Sequence, residues 1–473
     1  MKKTGVFWLR EDFRLKKNEA LAYATNNHEY VCAVYIFKKK DFEKKREAKS
    51  WWIYKSLFNF EKDLDNLNIQ LEIMISDSYQ VAFDKILKYK DFSVYWNKVY
   101  EPDFLSFDEK ISHQLDKKNI TYKIFKGNTL NEFSEVKKND KTPFKVFTPF
   151  WKNAEKIYLD KGYIKNTLPK KKISKKKFFK EVSKKEEVLK LTNWHKKLSE
   201  HWDPSEKEAS KVLKNFLNEN IVNYGEQRDI PGVMGTSKLS PYLASGQIHV
   251  ETIWEECEKL KEKKRGYRKF VNELGWREFS HSLINYFPKM INENLREEFD
   301  NFPWQKNKKF LNAWKKGLTG YPIVDAGMRE LYETGWMHNR VRMITASFLV
   351  KHLLIHWREG EKHFQNCLVD FNSANNTAGW QWVSGCGADA APYFRIFNPI
   401  LQGEKFDKDG IYTKKWVPEL KNMPNEFLHK PWELEKKYQE ELKIIIGKDY
   451  PSPIVDHVAA RNAALVAFQS LKK

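Results

Sequence analysis

Five short apolar runs in the first 125 residues constrain the fold of this chain more than any other feature. They are Thr4–Leu9 (TGVFWL), Tyr30–Phe37 (YVCAVYIF), Ile69–Ile75 (IQLEIMI), Ser93–Trp96 (SVYW) and Thr121–Phe125 (TYKIF). Short runs of β-branched and aromatic residues bounded by polar turns read as strands buried on both faces. Between them, Ala48–Leu67 and Ser106–Lys117 carry apolar residues at helical spacing. Strands that alternate with helices assemble into a parallel, doubly wound sheet. No G-x-G-x-x-G follows the first run, and no G-x-x-x-x-G-K-[ST] occurs anywhere. Neither an ordinary dinucleotide site nor a P-loop is therefore expected on this sheet.

The rest of the 473-residue chain has a different character. Residues 129–200 read as an interdomain linker, and the run PKKKISKKKFFKEVSKK within it reads as solvated lysine. After residue 200 strand-like runs disappear and helices dominate. Pro322 suits the first turn of a helix over Ile323–Leu331, Gly335 breaks it, and a further helix is expected over Met337–Ile355. The expected architecture is α/β plus all-α: a parallel-sheet domain over 1–128, a long linker, and an all-helical domain over 201–473. A formal net charge of +21 suggests a polyanion such as DNA as partner. Four cysteines without a C-x-x-C pair argue against a disulfide scaffold or a zinc site, and no metal is expected. No secretory leader or membrane span is seen, so a cytoplasmic protein without a membrane role is expected. Seventeen tryptophans are unusually many; most should be core, with Trp314 and Trp336 among them.

Seven segments in the helical half occur in a telling order. They are YGEQRD (224–229), GTSKLSPYLASG (235–246), NELGWREF (272–279), GLTGYPIVDAGMREL (317–331), GWMHNRVRMITASFLVK (335–351), WREGEKHF (357–364) and NTAGWQWVSGCGADAAPYFRIFNP (376–399), the last running on into QGEKFD. VFWLREDFR and WNKVYEP add weaker support from the first domain. Together they resemble the DNA photolyase/cryptochrome family, and within it class I cyclobutane pyrimidine dimer photolyases.

That resemblance implies a flavoprotein lyase that uses blue light, reduced FAD and UV-damaged DNA. Tyr224, Thr236, Ser237, Lys238, Leu239 and Ser240 would hold the phosphate and ribityl part of FAD. A hydroxyl-rich loop at a helix start suits a phosphate, although a helix cap accounts for Thr236 or Ser237 equally well. Phe270 stands where relatives often carry Trp against the flavin. Asp370 and Asn372 fall in the adenine and isoalloxazine segment, and Asn376 matches the residue beside flavin N5. Glu273 would hydrogen-bond the damaged bases. Trp276 and Trp382 would wall a pocket for the flipped dimer, with Asn339, Arg340 and Met343 lining it. Arg228, Arg277 and Arg340 are candidates for phosphate contacts. Trp380, Trp357 and Trp304 would relay an electron from the surface to the flavin. Glu101, in WNKVYEP, would hold a second, light-gathering pigment, a methenyltetrahydrofolate in preference to a deazaflavin. A monomer is expected. The alternative is a cryptochrome-type photoreceptor without repair activity, disfavoured by the Glu273, Trp276, Asn339 and Met343 set and by the short stretch after the family segments.

Overall fold

Alternation of side chains across a strand decides which residues meet in the first half of the molecule. The computed structural model describes residues 3–40, 47–162, 167–169, 173–179, 193–261, 265–393 and 395–471, without the side chains of 193–195. All five apolar runs form strands: β1 (Thr4–Leu9), β2 (Tyr30–Lys38), β3 (Gln70–Ser76), β4 (Phe92–Asn97) and β5 (Tyr122–Phe125). They pair in parallel in the order β3-β2-β1-β4-β5. Phe7 and Leu9 of β1 join Val31, Ala33, Leu71 and Ile73 on one face, under the helices Glu19–Asn27 and Ala48–Asp65. Val6 and Trp8 join Cys32, Val34, Ile36, Val94 and Trp96 on the other, under Tyr79–Ile86 and Pro102–Lys117. Both faces are covered, as a parallel sheet requires. The doubly wound sheet and the all-helical remainder are the fold class read from the sequence.

The strand order reverses between β1 and β4, and a network of charged and amide side chains ties their carboxyl ends together. Arg10 donates to both carboxylate oxygens of Asp108, at 2.9 and 3.2 Å, and to the carbonyl of Asn97. Asn97 donates to Asp12 at 2.5 Å and to Asn18 at 2.9 Å. The REDFR and WN segments thus serve the sheet itself. A buried ion pair of this kind tolerates loss of neither partner, since the survivor is left uncompensated.

By internal packing the chain divides into two compact units, Met1–Glu219 with Ser237–Pro288, and Asn220–Thr236 with Lys289–Lys473. A helix over Phe147–Lys161 lies within the stretch read as a linker and packs on the Tyr267–Tyr286 helix. Gly275 makes this approach feasible, because an added Cβ would lie 2.5 Å from the Trp151 ring. Of the Lys-rich run, Lys175–Lys177 are exposed while Ile173 and Phe179 are buried against the sheet. Much of the remainder lies outside the described residues.

In the helical unit, Pro322–Thr334 begins on its proline and ends at Gly335 in the left-handed region, φ 69°. Met337–Ile355 is not one helix. His338 caps Arg340 N at 3.2 Å, so the helix starts at Asn339 and runs to Ser347. A π turn, Phe348–His352, follows, with Leu353 N bonded to Phe348 O at 3.1 Å. Leu354 at φ 51° then ends the element. Trp314 and Trp336 are buried, as expected. Among the described residues no helix is long and apolar enough to cross a membrane.

Two buried imidazoles make this unit acid-sensitive. Burial lowers the pKa of His352 to about 3, helped by His457 and Lys351, and that of His338 to about 4. An unfolded chain takes up these protons near the ordinary value of 6.5. The neutral rings therefore stabilise the fold above that value, and this contribution is lost as pH falls toward the folded-state values. Each ring is expected to cost about 1 kcal/mol per pH unit below 6.5. As pH falls from 7.5 to 5.5, the melting midpoint of His352→Gln should rise relative to that of the unaltered chain; parallel pH profiles would show that this ring carries no linkage.

Candidate functional site

Three helices of the helical unit carry seven of the residues singled out by the sequence, Asn339, Arg340, Met343, Trp357, Asn376, Trp380 and Trp382. The helices are Asn339–Ser347, Trp357–Cys367 and Ser373–Ser384, the last contacting both others. Asn372 is the N-cap of the third helix and accepts from Asn375 N at 3.1 Å. Asn376, one turn on, is half-buried and donates its amide to the Glu361 carbonyl at 3.3 Å. Beside it, Thr377 donates to the Glu361 carboxylate at 2.5 Å. Asp370 is buried and accepts from Arg342 at 2.7 Å. Asn339, exposed, and Met343, half-buried, stand four apart on the neighbouring helix and share its face. Trp382 is half-buried at the edge of the helical core.

The three tryptophans expected to form a relay differ in depth. Trp380 is buried flat against Gly360, where an added Cβ would lie 2.1 Å from the ring. Gly360 is three residues from Trp357, so Trp380 lies on the helix face that Trp357 also occupies. Trp357 is fully buried, and its indole N–H donates to Asn294 at 2.8 Å. Asn294 in turn donates to Asp300 at 2.6 Å. Trp304 is half-buried. His356 stands between it and Trp357, with ring centroids 4.9 Å from Trp304 and 5.6 Å from Trp357. Sequence spacing gave no signal for this imidazole.

A cavity of about 470 Å³ opens in the same unit, lined by Glu226, Asp229, Arg340, Arg395, Gln402 and Lys405, with Ile230, Phe397 and Phe406. Arg340 pairs with Asp229 at 2.8 Å and lies 4.5 Å over the Phe406 ring. Arg228 lies over the ring of Tyr224, which is buried. Sequence reasoning found Arg340 but missed Arg395 and Lys405. Both stood in quoted segments, YFRIFNP and QGEKFD, with nothing in their spacing to mark them.

The remaining candidates lie in the sheet-bearing unit, apart from Thr236, which is half-buried at the end of the short Asn220–Thr236 piece. Ser237 accepts from Leu239 N at 3.4 Å, Lys238 is left-handed at φ 51°, and Leu239 is buried. The helix they lead into is only Ser240–Ser245, with Ser240 exposed at its start. Phe270 is buried with its ring 4.6 Å from that of Phe216. Glu273 and Trp276 are half-buried on one face of the Tyr267–Tyr286 helix. Trp276 stacks on Phe147 at 3.8 Å with the planes 6° apart. Arg277 is committed to an internal pair with Glu278 at 3.2 Å. Glu278 has its pKa raised to about 7 by burial, against the pull of Arg277. Glu101 precedes the first turn of Pro102–Lys117, and its charge reaches Glu11, whose pKa is raised to about 7, chiefly by burial.

The residues of the helical unit suit a flavin. Gly379 follows Asn376 by three positions, and a side-chain carbon built on it would meet no atom within 4 Å. The helix surface is therefore open at this position, one turn on from Asn376. With its NH2 held by Glu361, the Asn376 side chain has its carbonyl oxygen to offer to a ring N–H.

Comparison with known proteins agrees on the family and corrects one point. Residues 5–172 match the DNA photolyase family model, and residues 270–470 match the FAD binding domain of DNA photolyase. A deoxyribodipyrimidine photo-lyase of Agrobacterium fabrum is 40% identical over 472 residues, covering 99% of this chain and 98% of the relative. A bacterial class III photolyase from Agrobacterium tumefaciens superposes with a TM-score of 0.93 at 38% identity, covering 100% of this chain and 98% of that one. An archaeal photolyase from Sulfolobus tokodaii, solved with two FAD molecules, gives a TM-score of 0.82 at 28% identity, covering 99% of this chain and 100% of that one. The class I expectation is overturned by the class III structure; the short motifs that carried it are not specific to one class. On this identity over nearly the whole of both chains, with both family models matched, the chain belongs to the DNA photolyase/cryptochrome family.

Proposed function

We propose that this enzyme, a light-dependent DNA-repair lyase that binds FAD, splits cyclobutane pyrimidine dimers flipped out of UV-damaged DNA. The observation that carries the reading is the packing of two helices of one unit: Asn376 and Trp380 on one, Asn339 and Met343 on the other. That contact between helices supports a reading in which a flavin and an extruded base would be held near each other. Reduced FAD, when bound, supplies one electron to the lesion on absorbing blue light, and this is the difficult part of the chemistry.

The chain's own residues supply binding and orientation. Asn376 would accept from the flavin ring N–H. Tyr224, Thr236 and Ser237–Ser240 would hold the phosphate and ribityl groups, and Asp370, Asn372 and Phe270 the rest of the cofactor. Glu273 would accept from a pyrimidine imide N–H and so orient the base. Trp276, Met343 and Trp382 would each offer an apolar surface to the flipped bases, and the distorted pairing at a dimer lowers the cost of extrusion. Arg340, Arg395 and Lys405 make the cavity a phosphate site, with Arg228 nearby in sequence. Arg277 serves the interior through Glu278 rather than a phosphate. Glu101 beside Glu11 remains the proposed contact for a folate-type antenna; the Sulfolobus protein, with its two FAD molecules, offers a flavin as the other choice. Four buried free thiols suit a reducing cytoplasm, and the enzyme is proposed to act there as a monomer.

The tryptophan series supports electron supply from outside. The relay would run from the buried Trp380 through Trp357 to the half-buried Trp304, with His356 near both of the last two rings. Asn294 fixes the Trp357 indole N–H, and an amide oxygen is too weak a base to take its proton.

Purified protein should be yellow or blue from flavin and should remove dimers from irradiated oligonucleotide in blue light but not in darkness; a colourless protein, or equal loss in both, would end this reading. Trp304→Phe should abolish photoreduction of the oxidised flavin while dimer repair by chemically reduced enzyme stays within about twofold; loss of both would remove Trp304 from the relay. Glu273→Ala should lower the repair yield per absorbed photon several-fold with flavin retained, and an unchanged yield would take Glu273 out of the mechanism.

A further inference from the structure

Arg395 lines the basic cavity with Arg340 and Lys405, yet the described residues of its segment, 385–397, contain no helix or strand. A long cation on an irregular segment needs something to fix its backbone before it can bind a phosphate in a defined place. Two interactions do so on either side of residue 394. Tyr393 stacks on Phe468 of the His457–Ser470 helix at 4.7 Å with the planes 13° apart. The Arg395 carbonyl accepts from the Lys351 ammonium at 3.1 Å.

Lys351 is an unusual residue to find there. It lies in the π turn Phe348–His352 and is 1% exposed, and π turns interrupt helices at functional places more often than elsewhere. Among the described residues its polar partners are the Arg395 carbonyl and the face of the Tyr393 ring, 5.2 Å from the ammonium. Burying a lysine for one hydrogen bond is costly, and a plain packing role would be met better by methionine or leucine. The turn that carries it is itself pinned: His352 and His457 share a hydrogen bond at 2.9 Å, and the His352 ring stacks on Phe348 at 4.9 Å. Burial lowers the Lys351 pKa to about 7, and the charge of Arg395 acts in the same direction, which fits a group held close to that arginine.

We propose that Lys351 is a positioning residue for DNA binding: its buried amine holds the Arg395 carbonyl, and so keeps the Arg395 guanidinium in the cavity where it meets a DNA phosphate. The proposal rests on the reading of that cavity as a phosphate site. Lys351 touches no nucleic acid itself, and it acts only through the arginine whose backbone it holds.

The test is the salt dependence of affinity of the flavin-loaded full chain for a dimer-containing duplex. Every phosphate that the protein ceases to neutralise reduces the slope of log K against log salt by about 0.9. Arg395→Gln is expected to neutralise about one phosphate fewer and to bind about tenfold more weakly. Lys351→Met should match it, the double variant should be no weaker than either single one, and Lys351→Arg, which keeps a donor for the carbonyl, should retain the wild-type slope. Affinity losses that multiply in the double variant, or a wild-type slope in Lys351→Met, would overturn the positioning role while leaving the phosphate site standing. An unchanged slope in Arg395→Gln would remove the phosphate site itself, and the proposal with it. Should Lys351→Met fail to retain flavin, Lys351→Arg decides: a slope reduced by about one in that variant overturns the proposal.

Discussion

A flat indole can lie against a helix only where the helix has no side chain to hold it off. Trp380 meets that condition at Gly360, and the close approach of the Trp357–Cys367 and Ser373–Ser384 helices follows from it. The same approach lets Asn376 reach the Glu361 carbonyl and Thr377 reach its carboxylate. One absent side chain thus sets the depth of Trp380, the first tryptophan of the proposed relay, and the direction of the amide proposed to face the flavin. Any larger residue at Gly360 would separate the helices and disturb both together, since interiors at close packing have no slack to absorb an added carbon.

In the sheet-bearing unit the corresponding constraint is electrostatic. The strand order reverses beside β1, where doubly wound proteins commonly bind ligands. Here Arg10, Asp12, Asn97 and Asp108 fill that place with a closed set of hydrogen bonds. The motif that looked like a family signature is in large part the fastening of β1 to β4. Its conformation is over-determined by backbone and side-chain partners, which makes it a rigid base for Glu11 and Glu101 at the same end of the sheet.

The fold was legible because its signals are local. Val6 and Trp8 go to one face and Phe7 and Leu9 to the other, and an alternating apolar run declares that arrangement without knowledge of its partners. Helix ends were legible where a proline or glycine marked them, as at the start on Pro322 and the stop at Gly335. The π turn was not, because an added residue in a helix leaves an apolar pattern such as SFLVKHLLI intact. The candidate site was legible only in part. Asn376, Trp380, Trp357, Arg340 and Met343 stand in recognisable words, and the family resemblance carries them together. His356 and Lys351 each meet a group far away in the chain: His356 the ring of Trp304, Lys351 a carbonyl forty-four residues on. Arg277 shows what spacing does not reveal: its carboxylate neighbour Glu278 is buried beside it and pairs with it.

The Trp276–Phe147 stack has a stereochemical consequence. An indole presents two equivalent-looking faces, and a free one would receive a planar guest on either. With Phe147 parallel to it at 3.8 Å, one face is permanently taken. The ring becomes a one-sided shelf, so two guests related by a mirror through the ring plane are no longer interchangeable. Phe147, from a helix far from Trp276 in sequence, would thereby impose a handedness on whatever lies against it.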